Sequence, residues 1–419
     1  MFGLRLFFGE REKAKSAALD ARWFSRYRKV GIFDDIAYFR RTPKLLKQKE
    51  LFLSGESKKP EFFYEIPLEE LRDRREKLKR FQDDLLTKER NDIVREIYAD
   101  RIDELLVKIE LLFAVSKRDD EKVFEFSQKL YGTPDREILK NAVSLLLGAA
   151  ETREVPPGEF LQLLQEKTGA LPGRKHFVRS AEQKKDLVKA EELQKIFEDK
   201  LHELGAPWRV KLSDRAAAIF LRYDKKTIYI PRNRRVSRSY VEGLLEHEIG
   251  VHLTRHLNGL KSPLRLLSSG LAGYLKGEEG MAAYFEWRKD PQYLPGVRNY
   301  IAVCLATGMV EKDLGFREVF EFLKEYFVLF QIPGNEAGGR AAEEYAWTRA
   351  YRVFRGTTGN GKNTCFTRDL MYFQGFKEIE SLVKEESPEM ERFFAGKYDP
   401  ANQKHRDILD ALGLSRRVF

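Results

Sequence analysis

Three of the six histidines in this 419-residue chain, His247, His252 and His256, fall within ten positions. The first two close the run His247-Glu248-Ile249-Gly250-Val251-His252, a His-Glu-x-x-x-His spacing. Two imidazoles with a carboxylate beside the first are what a catalytic zinc needs: nitrogens to hold the ion and a base for its water. The more familiar spacing is one residue shorter and sets both rings on one helix face. An α-helix turns about 100° per residue, so histidines five apart point roughly 140° apart. A π-bulge absorbs the extra residue, and such bulges gather at functional sites. Gly250, between the two rings, is where local unwinding is easiest. The spacing therefore predicts an irregular helix near Gly250, with Val241, Leu244, Leu245 and Val251 facing the core.

Taken alone, the run also fits two structural histidines on an amphipathic helix. Its surroundings favour the metal. Upstream, residues 218–223 and 226–231 alternate apolar and polar side chains about Asp224-Lys225 and predict a hairpin. An edge strand beside a metal helix can hold an extended peptide by main-chain pairing. Downstream, 27 residues beyond His252, Glu279 lies on a helix predicted over 276–287 and ended by Asp290-Pro291. Glu279 is the candidate third ligand and Glu248 the candidate catalytic base. Two histidines and a glutamate leave one tetrahedral position open.

These residues need a scaffold, and the chain can supply one. With 42% hydrophobic and 12% aromatic residues it can bury a large core without disulfides. Cys304 and Cys365 are the only cysteines, which fits a reducing compartment. No apolar run reaches the length of a membrane span. Residues 1–9 carry too short an apolar core for a secretory signal. A soluble cytoplasmic protein is expected. The net charge of +10 comes from 76 basic against 66 acidic residues, with both signs interspersed. No nucleic-acid motif accompanies it, so no nucleic-acid partner is expected. The expected partner is a peptide or protein tail, and an acidic tail suits the charge. The sequence does not indicate an oligomeric state.

Three blocks are expected along the chain: a basic extension over 1–60, a helical region over 61–205 and a catalytic region over 206–419. In the second, Leu68, Leu71, Leu78, Phe81, Leu85, Leu86, Ile102, Leu105, Leu106, Ile109 and Leu112 recur at helical spacing. Pro156-Pro157-Gly158 and Leu171-Pro172-Gly173 are breaks, and a charged helix is expected over 181–204. In the third, helices are expected at 297–307, 315–330 and 343–355, with a mobile loop at 334–339. Gly356–Gly361 is glycine-rich but lacks the Gly-Lys-Ser/Thr ending of a phosphate loop. The fold class is α+β, mostly helical, with a small antiparallel sheet.

Three stretches resemble a known family. They are Leu244–Arg255 followed by Asn258-Gly259; Gly270–Tyr274 through Glu278-Glu279-Gly280-Met281-Ala282; and Arg352–Gly356 through Phe366–Gly375. Phe62–Tyr64 and Lys129–Pro134 match more weakly. Together they resemble the microtubule-associated tyrosine carboxypeptidases and their bacterial relatives with a Gln-Glu-Gly-Leu-Ala motif. Glu278 stands where the family has Gln, and Met281 where it has Leu. The resemblance implies a zincin-like fold of the glutamate-ligand type, with Zn2+ on His247, His252 and Glu279 and with Glu248 as base. It also implies removal of a C-terminal tyrosine, which family members take from the acidic tail of tubulin.

A carboxypeptidase must recognise a terminal carboxylate, and arginine does so best through its bidentate fork. Arg349, Arg352, Arg355 and Arg368 are the candidates, with Tyr372 as a hydroxyl partner. Two further readings share the residues. Another zinc peptidase is one, either an endopeptidase or a relative of the third type of dipeptidyl peptidase, which pairs His-Glu-x-x-x-His with a downstream Glu-Glu. A non-catalytic relative that retains the metal fold is the other.

Overall fold

The computed structural model describes residues 18–39, 42–147, 186–214, 216, 218–291, 295–310, 314–329 and 340–414. Residues 1–9, both proline-glycine breaks and the loop at 334–339 lie outside them. The chain forms two compact units that alternate along the sequence. The first is drawn from Met1–Ala21, Arg179–Pro295 and Gly375–Phe419, the second from Arg22–Val178 and Gly296–Gln374. This division does not follow the three consecutive blocks expected from the sequence.

The second unit is helical for the reason its periodicity suggests. Helices Leu68–Lys88 and Asp92–Ser116 bury Leu71, Leu78, Phe81, Leu85, Ile102, Leu105, Ile109 and Leu112, while Leu86 is exposed. Asn91 caps the second of these by accepting from the Val94 N–H. Helices also span Val297–Ala306, Phe316–Leu329 and Arg340–Phe354, close to expectation. Phe52, Phe62, Phe316, Trp347 and Tyr351 form an aromatic cluster within this unit.

The first unit carries the sheets. Strand β1 (Leu187–Lys189) pairs antiparallel with β5 (Arg235–Ser237). Strands β2 (Arg209–Ser213), β3 (Phe220–Arg222) and β4 (Thr227–Pro231) form a sheet of order β2-β4-β3. The expected hairpin is β3–β4, turned at Tyr223–Lys225. The sheet is not purely antiparallel, because β2 runs parallel to β4. Alternation gives a strand its inward face but not its neighbour, so this pairing was not legible. The charged helix predicted over 181–204 starts at Ala190, since Leu187–Lys189 is strand. Phe197 and Leu201 of that helix pack with Val210, Ile228, Ile230, Leu244, Ile249 and Leu253.

The helix carrying Glu279, Leu275–Lys289, is set by close backbone contact. A Cβ on Gly280 would lie 2.3 Å from the carbonyl carbon of Gly375, and one on Gly375 would lie 2.2 Å from the Lys276 oxygen. Two glycines face each other because nothing larger fits. No helix among the described residues is long and apolar enough to cross a membrane.

Gly375→Ala should destabilise the protein by about 1–3 kcal/mol or more, since the added methyl meets backbone that cannot swing away. Thermal unfolding measures this, and an unchanged midpoint would mean that the two backbones do not meet there.

Candidate metal centre

The helix carrying His247 and His252 is built in three continuous pieces: Arg238–Leu245 α-helical, Glu246–Leu253 π-helical and Thr254–Lys261 α-helical. The Thr254 N–H bonds the Ile249 carbonyl, five residues back, and its hydroxyl bonds the same oxygen at 2.9 Å. The irregularity predicted near Gly250 is present, and it spans eight residues rather than one bulged position. A Cβ on Gly250 would sit 2.6 Å from Glu246 Oε2, so a larger residue there would also displace that carboxylate.

The wider turn brings the two rings together. Their centroids are 4.9 Å apart with planes at 77°. The Glu279 Oε2 lies 4.0 Å from His247 Nε2 and 3.8 Å from His252 Nε2. The three donor atoms all fall within 4.8 Å of one another and could hold a metal ion. At a tetrahedral angle two bonds of 2.0–2.1 Å span about 3.4 Å, so the donors, now within 4.8 Å of one another, would have to draw together to share an ion.

A carboxylate orients each ring. His247 Nδ1 meets Glu286 Oε2 at 2.8 Å, and His252 Nδ1 meets Glu278 Oε1 at 2.9 Å. With the proton on Nδ1, each ring donates to its carboxylate and turns the Nε2 lone pair toward Glu279. Glu286 also accepts from the Tyr240 hydroxyl. Glu278 also accepts from Arg255, at 2.6 Å, and from Lys397. Glu279 and Glu286 are seven residues apart, two helical turns, so one helix face carries both.

Burial sets the charge states. It pushes His247 down to about 3, with His252 acting the same way, so the ring stays neutral as a metal ligand must. Burial also raises Glu248 to about 7, against the pull of His252. Among the described residues nothing hydrogen-bonds the Glu248 carboxylate. Burial lifts Glu286 to about 8, opposed by Arg234. It would lift Glu278 too, but Lys397 and Arg255 hold that group well below the usual carboxylate range. His256, the third clustered histidine, is not part of the donor set. Its Nδ1 meets the Ser268 carbonyl at 2.8 Å, and its ring lies 4.4 Å from that of Tyr223.

The profile of the microtubule-associated tyrosine carboxypeptidases matches residues 49–415. The chain belongs to this family. Over 146 residues it is 29% identical to microtubule-associated tyrosine carboxypeptidase 1 of Mus musculus, 29% to that of Homo sapiens and 27% to that of Rattus norvegicus. Each alignment covers 33% of this chain and 27% of the relative. The chain thus spans about a quarter of the length of these tyrosine carboxypeptidases.

The candidate arginines belong to the second unit, whereas the three donors belong to the first. Arg352 and Arg355 converge on the buried Asp369, at 2.8 and 3.5 Å, and Asn299 donates to its other oxygen at 2.8 Å. Arg349 adds its charge to the same carboxylate. Arg352 lies over the Tyr372 ring at 5.8 Å. Arg368 sits 3.8 Å from both Asp34 and Asp35 and over the Tyr131 ring.

Sequence reasoning missed Asp369, Glu286, Arg255, Lys397 and Arg234, and did not see Glu278 as an orienting group. The seven-residue step from Glu279 was a usable signal for Glu286. Lys397, 119 residues from Glu278, had none.

Burial would raise Asp369, but Arg352 and Arg355 lower it to about 2. A depressed folded-state value stabilises above the unfolded value of about 3.9 and is lost as pH falls through the folded one. Between pH 5 and 2 the wild type should therefore lose about 2 kcal/mol more than Asp369→Asn. Urea midpoints across that range test this, and parallel curves would sink it.

Proposed function

We propose that this chain is a zinc-dependent metallocarboxypeptidase that removes a C-terminal residue, tyrosine or another aromatic one, from a peptide or protein tail. The main support is the convergence of His247, His252 and Glu279 with the buried Glu248 beside them. Two imidazoles and one carboxylate are the donor set of an open, catalytic zinc site rather than a closed structural one. Zinc, when bound, supplies Lewis acidity toward the scissile carbonyl and lowers the pKa of its water.

The rest is done by side chains and backbone. Glu248 takes a proton from the attacking water and returns it to the leaving amine, and a carboxylate near neutrality suits both steps. Glu278 and Glu286 keep the imidazoles aimed. Strand β3 ends its sheet and packs against the π-helical segment, so its free edge can pair with an extended substrate. The relatives' names describe tyrosine carboxypeptidases associated with microtubules. The corresponding substrate here is a protein C-terminal tail, and the net charge of +10 suits an acidic one.

Two sets of residues compete for the terminal carboxylate. Arg349, Arg352, Arg355 and Arg368, with Tyr372, form the set drawn from the sequence. Arg234 is added on structural grounds. Its charge acts on both Glu248 and Glu286, and its Nε is buried with no hydrogen-bond partner among the described residues.

Glu248→Gln should retain zinc and fold while hydrolysis falls by roughly two to four orders of magnitude. Zinc analysis and turnover check this, and unchanged turnover would move the base elsewhere. A peptide ending in tyrosine should lose that one residue as the free acid, and its C-terminal amide should be cut more than about tenfold more slowly. Mass spectrometry of the products decides. Arg234→Ala and Arg352→Ala should be compared, because the clamp is the one whose loss narrows the acid–amide gap. Equal cleavage of acid and amide, or release of dipeptides, would defeat the carboxypeptidase reading.

A further inference from the structure

We propose that Lys397 is a positioning residue of the metal centre: with Arg255 it fixes the Glu278 carboxylate on His252 and thereby sets the affinity of the site for its ion. The inference rests on the zinc reading above and extends it to a segment far along the chain.

Lys397, Arg255 and Glu278 are 3%, 0% and 1% exposed, so all three charges are out of water. Buried charges persist only when paired and hydrogen-bonded. Here one carboxylate answers two cations. Its Oε2 accepts from Arg255 Nη1 at 2.6 Å, and its Oε1 accepts from both Lys397 Nζ and His252 Nδ1. Both oxygens are thus held by cations, and the carboxylate cannot turn without breaking one of these bonds. The other support is built differently. Besides His247, Glu286 has only the Tyr240 hydroxyl as a donor among the described residues, with no cation bonded to it.

The backbone keeps Lys397 in place. Its N–H bonds the Leu267 carbonyl at 2.7 Å, and its own carbonyl accepts from Leu271 at 3.1 Å. Arg255 Nη2 donates to the Tyr398 carbonyl at 2.6 Å, one residue further on. The Lys397 ammonium also reaches the Tyr223 hydroxyl at 3.0 Å. Lys397 and Tyr398 are therefore tied at the same time to the metal helix, to Leu267–Leu271 and to the β3–β4 turn.

Without the ammonium, Glu278 keeps Arg255 on one oxygen and a single imidazole on the other, and the hold on the His252 ring loosens. Loss of such a group behind a metal ligand typically weakens metal binding by about 10–100-fold. Lys397→Met keeps the stem and removes the charge. Lys397→Arg keeps the charge. Glu278→Gln leaves two buried cations without their counter-ion, so adding Lys397→Met to it relieves part of that penalty.

The test is zinc affinity, measured on the full chain by competition with a chromophoric chelator, with circular dichroism as the check on folding. Lys397→Met should bind zinc about 10–100-fold more weakly with an unaltered apo spectrum, and Lys397→Arg should stay within roughly threefold of wild type. The double variant Glu278→Gln/Lys397→Met should bind more tightly than the product of the two single losses. If Lys397→Met does not fold, the double variant is compared with Glu278→Gln alone: zinc affinity no weaker than that of Glu278→Gln supports the assignment, and a further loss overturns it. Wild-type affinity in Lys397→Met, or strictly multiplicative losses in the double variant, overturns the assignment while leaving the zinc centre standing. Failure of the wild type itself to bind zinc, or binding unaffected by His252→Ala, overturns the zinc reading and this inference with it.

Discussion

The first unit is organised around the cost of taking carboxylates out of water. Three glutamates next to the paired histidines are almost fully buried, and each meets the cost in its own way. Glu278 keeps its charge because Lys397 and Arg255 lie against it. Glu286 gives up much of its preference for the charged form, its value lifted to about 8. Glu248 sits between, near 7, and among the described residues nothing hydrogen-bonds its oxygens. The same carboxyl chemistry, placed in three environments, gives a charge locked by two cations at Glu278, a group that favours its neutral form at Glu286 and one poised between them at Glu248.

Helix geometry is the second constraint, and it was largely readable. Histidines five apart cannot share a metal on an α-helix, so the spacing of His247 and His252 by itself implies a π-helical turn. The donors were legible because spacing is local: a motif, and a glutamate on the next apolar helix. Glu278 stands where the resemblance implies a Gln, and by residue type alone that is a mild exchange. In the folded protein it adds a buried negative charge, tolerable because two cations face it.

What could not be read was non-local. Nothing in the sequence near 397 marks that lysine as a neighbour of Glu278. The alternation in residues 218–223 and 226–231 marks a hairpin, but nothing in it shows that Arg209–Ser213 pairs in parallel with its second strand. The interleaved division was hidden too, because residues 296–374 look like a continuation of the catalytic region until their contacts are known. In the second unit, Arg352 and Arg355 stood out as candidates, yet the acid that gathers them, Asp369, was passed over as the neighbour of Arg368. A cluster of like charges is legible in a sequence, whereas the single counter-ion that makes it tolerable is found only by folding.

The interleaving also bears on how the protein is made. A ribosome releases the chain from its N-terminus, and folding of early segments begins before the late ones emerge. His247, His252 and Glu279 are all synthesised well before Gly375 and Lys397, and the whole of residues 296–374 intervenes. The helix carrying the two histidines must therefore wait, its His252 support incomplete and the contact at Gly280 unmade, until residue 397 has been added. Completion of this cluster is tied to synthesis of a segment far along the chain, and a chain arrested between residues 289 and 375 carries His247, His252 and Glu279 without the later residues that back them.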